Sequence, residues 1–205
     1  MGVTLESMAI EMPAIFGHPN RVGFRGVLTM VDVVSDKPPA GARGHRVLLT
    51  RRAAEEAIPS LLGMGLDYAP ALDRHDVRRK VGVITRAEIV GRRIEIGGFL
   101  YGRDFPEIVE EIALSRQPSA IRKGASAATT IAGQSHSQSA RKNGADGRAG
   151  MPAPHLLGMS YELADAQIED LKASVWVLNK VTFTGAAILK REKAAYQGTW
   201  IELEQ

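Results

Sequence analysis

Ser160 lies inside a short apolar run, Leu156-Leu157-Gly158-Met159-Ser160-Tyr161-Glu162-Leu163, and His75 precedes another, Lys80-Val81-Gly82-Val83-Ile84. A serine hydroxyl is a weak nucleophile until a neighbouring imidazole takes its proton. A histidine entering one strand and a serine on another are therefore the minimum set for serine nucleophilic catalysis. Most serines in strands only pack, so the pairing needs support from the rest of the chain. His75 sits in Leu72-Asp73-Arg74-His75-Asp76, where a base could project from a strand end. Of the other histidines, His18 is in a Gly-His-Pro-Asn turn, His45 precedes a strand, and His136 falls in a polar linker. His155 directly precedes the serine strand and is the rival base. Glu162, two residues beyond Ser160, shares its strand face, as a functional carboxylate or a solvated one.

The negative evidence narrows the chemistry. The chain has no cysteine, which excludes disulfides, a thiolate nucleophile and Cys-based zinc sites. No HExxH pair, P-loop or GxGxxG fingerprint occurs, so neither a metal nor a cofactor is expected. Gly158-Met159-Ser160-Tyr161-Glu162 does not complete a G-x-S-x-G elbow, which weighs against an α/β-hydrolase. The Arg78-Arg79-Lys80 run reads as a solvated turn or as a contact for an acidic partner.

The 205 residues suffice for one domain with a real core, and the 5% aromatic content makes that core aliphatic. No apolar run approaches a membrane span, and Met1–Pro13 carries Glu6 and Glu11 with no basic n-region, so neither anchor nor secretory signal is expected. The net charge of +3 is unevenly placed. Arg116 to Gly150 holds six basic residues and one acid, leaving the remainder acidic. A nucleic-acid-binding face on the folded body is thus not indicated.

The elements that must position Ser160 and His75 follow from pattern. Val22–Val34 reads as a strand pair or one long bent strand, and His45–Leu49 as a short strand. Thr50 caps a helix through Ile58, extended toward Leu62 and closed by Gly63-Met64-Gly65. The chain then loops through Asp67 and Pro70 to His75. Val81–Ile89 and Ile94–Tyr101 form a hairpin about Gly91-Arg92-Arg93, and Glu107–Leu114 forms an amphipathic helix. Residues 117–154 lack any apolar period and read as a mobile linker or long loop within a single 1–205 domain. Strands resume at Leu156–Leu163, Ser174–Phe183 and Ala186–Leu189. The fold class expected is α+β: a mostly antiparallel sheet or small closed barrel with flanking helices.

His75-Asp76, Val81-Gly82-Val83-Ile84, Leu157-Gly158-Met159-Ser160-Tyr161-Glu162, Val175-Trp176 and Val181-Thr182-Phe183-Thr184-Gly185-Ala186-Ala187-Ile188-Leu189 occur in that order. The series resembles the tailed-phage prohead, or head maturation, serine proteases, over roughly residues 20–115 and 155–195. That resemblance implies a herpesvirus assemblin-like fold, Ser160 as nucleophile and His75 as general base. It further implies processing of phage scaffold and major capsid proteins inside the prohead, in the bacterial host's cytoplasm. Self-cleavage and self-association are compatible with it. The family often carries a carboxylate on the strand leading into the V-T-F element, where this chain has Trp176-Val177-Leu178-Asn179-Lys180. Asp170, or Glu169 beside it, is the expected substitute, with a Ser-His dyad as the other arrangement. The alternative to an enzyme is a catalytically inactive, protease-like scaffold or capsid-assembly protein.

Overall fold

The computed structural model describes residues 18–115 and 156–204. It is an α+β structure dominated by one curled, half-barrel sheet with few helices. In chain order the elements are β1 (Arg21–Met30), β2 (Arg46–Leu49), α1 (Arg51–Ala57), β3 (Gly65–Tyr68), β4 (Lys80–Val90), β5 (Arg93–Tyr101), α2 (Pro106–Ser115), β6 (Leu157–Ile168), β7 (Val175–Lys190) and β8 (Trp200–Leu203). Of the two expected forms, a mostly antiparallel sheet or a small closed barrel, the pairing is mostly antiparallel and the barrel is reached only as far as this curl. Among the described residues the order β2-β7-β3-β4-β5-β1-β8 is open, with β6 pairing β7.

The β4–β5 hairpin forms because Gly91 supplies the positive φ of its two-residue turn. β1 continues antiparallel to β5, and β8 to β1. The sheet bends because glycine lets strands press together: a Cβ on Gly98 would run into the Val83 carbonyl, and one on Gly26 into that of Trp200. α1 starts where the sequence requires, with Thr50 Oγ1 accepting from Ala53 N at 3.3 Å. The segment after it is a 3-10 turn, Ile58–Leu61, since Pro59 cannot donate into a continuing helix.

Two expectations change. The separate strands at Ser174–Phe183 and Ala186–Leu189 are one 16-residue strand, β7. It carries β6 antiparallel along one edge, with β2 and then β3 parallel along the other. β3 itself replaces the expected loop through Asp67. The core is aliphatic, built on residues such as Leu28, Leu49, Leu66, Ile84, Ile96 and Leu157, with Phe24 the one aromatic among the largest fully buried side chains. The linker at 117–154, His136 and His155 lie outside the described residues. Among those described, no helix is long and apolar enough to cross a membrane.

Candidate active site

β7 is the axis of the site. Its Ala187 pairs with Ser160 of β6 on one side and Asp67 of β3 on the other, so the three residues form one lateral row across three adjacent strands. Side chains in such a row project from the same face, and strands lie about 4.8 Å apart. Ser160 and Asp67 therefore stand about two strand spacings apart, with a small, fully buried alanine between them. An imidazole can span that gap. His75 does so, with Nε2 3.1 Å from Ser160 Oγ and Nδ1 3.3 Å from Asp67 Oδ2.

The loop that brings His75 over the row is pinned at several points. Leu72, in the left-handed region at φ 53°, is buried, and its carbonyl accepts from Lys190 N at 2.8 Å. Asp76 N donates to Asp67 Oδ1 at 3.2 Å, and Tyr68 N donates to the Arg79 carbonyl at 3.2 Å. Arg79 ties the loop to α2: its guanidinium meets Glu107 at 2.7 Å and lies over the rings of Tyr68 and Phe105. Ser160 is fixed from its own strand, where Met159 N donates to Thr199 Oγ1 at 3.1 Å ahead of β8.

Asp67 is fully buried and its oxygens are well engaged. Oδ1 takes the Asp76 amide, while Oδ2 is shared by the His75 ring and by Lys80 Nζ at 3.2 Å. Burial pushes its carboxyl up, but the hydrogen bonds and charges of His75 and Lys80 outweigh that and hold it below the usual carboxylate range. Lys80 reaches this position because its stem lies across Gly65, where a Cβ would sit 2.9 Å from the Lys80 Cδ. Of the Arg78-Arg79-Lys80 run, only Arg78 keeps an almost fully exposed side chain; the other two are committed to internal ion pairs.

A second carboxylate faces the same ring nitrogen. Glu162 Oε1 is 3.7 Å from His75 Nδ1, on a side chain 42% exposed. Glycine again makes room, since a Cβ on Gly185 would meet Glu162 Oε2 at 2.7 Å. Glu162 thus belongs to the site.

The expected acid does not. The carboxylate on His75 Nδ1 is Asp67, whereas Asp170 Oδ1 accepts from Lys172 N at 2.8 Å in the exposed β6–β7 connection. Glu169 is exposed in the same connection, where its amide bonds Val177 O. The physical reason is strand length. β6 runs on to Ile168, carrying that connection to the far end from Ser160. His45 is also placed elsewhere, stacked on Trp176 with ring centroids 4.6 Å apart; the rival base, His155, lies outside the described residues. A signal for Asp67 did exist: it lies between Leu66 and the β-former Tyr68, but four residues between glycine and proline are too few for a periodicity argument.

No family model matches the chain, and neither does any curated protein or solved structure.

Proposed function

We propose that this chain is a serine endopeptidase using Ser160, His75 and Asp67. What supports the reading is the unbroken contact chain from Ser160 Oγ through both ring nitrogens to a buried carboxylate. In this scheme the proton of Ser160 Oγ passes to His75 Nε2 as Oγ bonds to the scissile carbonyl carbon. Nε2 then hands that proton to the leaving amine as the C–N bond breaks, giving an acyl-serine. Water, deprotonated by the same nitrogen, releases the acid and restores the hydroxyl. Asp67 accepts a hydrogen bond from Nδ1–H without taking the proton, which selects the tautomer with Nε2 free and stabilises the imidazolium.

The substrates are drawn from the resemblance to prohead proteases: phage scaffold and major capsid proteins, cut within the assembling prohead of a bacterial host. The inert-scaffold alternative asks nothing of the Ser160–His75 distance, and a 3.1 Å contact backed by a buried acid is costly to build without use. Co-expression with the cognate capsid and scaffold proteins tests it by intact mass. Wild type is expected to yield shortened products and Ser160→Ala full-length chains; identical masses from the two would overturn the reading.

A further inference from the structure

A groove of about 510 Å³ opens from Ser160 and His75 and runs along β6 toward Trp176. Its floor is apolar: Leu163 and Ile168 of β6, Trp176 and Leu178 of β7, and Val47 of β2. Trp176 contributes only ring surface there, because its Nε1 already donates to the Leu171 carbonyl at 3.2 Å and one ring face is stacked on His45. The wall is the Pro39–Ala42 turn, closed by Ala42 N donating to Pro39 O at 3.1 Å and by Gly41 at φ 88°. Of the lining residues beyond His75, only Glu162 carries a charge at neutral pH, and it stands at the catalytic end. We propose that this groove is the substrate-side-chain subsite, taking aliphatic or aromatic residues of an extended polypeptide, and that Glu162 turns away acidic residues beside the cleaved bond.

The inference rests on the endopeptidase reading and deepens it. Three observations commit the occupant. The groove is continuous with the reacting hydroxyl, so a substrate side chain that fills it lies close to the carbonyl that Ser160 attacks. Its volume exceeds one side chain, so more than one substrate residue lies in it. A carboxylate from the substrate would sit against Glu162 with no lining cation to offset it, and like charges this close repel. Apolar side chains gain from the floor by leaving water, each methylene changing kcat/KM by about tenfold or more.

The test uses a randomised peptide library, the full chain, and Ala166→Lys, an exposed groove residue outside the catalytic set. Mass spectrometry of wild-type products is expected to show Leu, Ile, Val, Met or Phe on one side of the cut, with Asp and Glu depleted next to it. Ala166→Lys is expected to raise acceptance of acidic residues several-fold at a position farther from the cut, with apolar selection retained. Cleavage without apolar enrichment, or with Asp or Glu favoured at the cut, would overturn the proposal. Retention of library peptides on Ser160→Ala separates the two readings. If wild type cuts nothing yet Ser160→Ala retains apolar peptides, and Ala166→Lys changes which, the groove stands and hydrolysis fails. If nothing is cut and nothing retained, the groove proposal fails as well.

Discussion

Two carboxylates face the same nitrogen of His75, and they are built in opposite ways. Asp67 is fully buried, takes three donors, and is held by a backbone amide as well as by side chains. Glu162 is 42% exposed and slightly farther away, on the groove side of the ring. A buried, multiply bonded carboxylate cannot move without leaving polar groups unpaired, so it fixes the imidazole. An exposed one is screened and can swing, so its influence on the ring is weaker and it is available to the substrate. Distance alone would rank the two nearly equal; burial and hydrogen bonding separate them.

Removing the buried member breaks the comparison most severely. Asp67→Asn keeps the shape but presents an amide donor to Nδ1, favouring the wrong tautomer. The expected loss in kcat is about 10⁴-fold, measured on a peptide cut by wild type. A loss of only a few-fold would transfer the orienting role to Glu162. The next effect comes from the row itself. Ala187→Leu inserts bulk between Ser160 and Asp67 beneath the ring, and a displacement of about 1 Å costs on the order of 100-fold in kcat. Circular dichroism of the same variant distinguishes that from misfolding.

Smaller effects sharpen the contrast. Gly65→Ala puts a Cβ against the Lys80 stem, and Lys80→Met removes the charge it carries to Asp67. Each is expected to lower kcat about tenfold, and the double variant little further, because both act through one contact. Glu162→Gln is expected to leave kcat on a neutral peptide within a few-fold of wild type, while improving cleavage next to acidic residues.

The smallest effect is on stability against pH. Asp67 titrates below its ordinary 3.8, so its contribution is present above that pH and is lost as pH falls through the lower folded value. Tyr196 and Tyr161 are shifted the other way, since burial raises both phenols above the ordinary 10.0. Their contribution is intact below pH 10 and declines only as alkali forces them to ionise. Thermal melts should therefore show an acid limb that Lys80→Met reduces and an alkaline limb that it leaves alone.

Most elements were legible because they are long enough to show a period. The Val81–Ile89 and Ile94–Tyr101 alternation with glycine between them becomes β4 and β5, and Thr50 caps α1 where a hydroxyl before a helix should. Ser160 was legible as a serine inside one apolar run and His75 as a histidine ahead of another, before any contact was known. By itself, then, the sequence determined the strands' faces, the helix starts and the two groups able to exchange a proton, since these depend on neighbours within a few residues. Only the tertiary structure decided the acid. Asp67 becomes the third group because β3 pairs parallel to β7, which places it two strands from Ser160 in a common row. Such pairing is a long-range choice made by the whole core, and a four-residue strand carries too little local preference to announce it. The same holds for Lys80 and Glu162, whose roles depend on glycines in other strands leaving space for their stems.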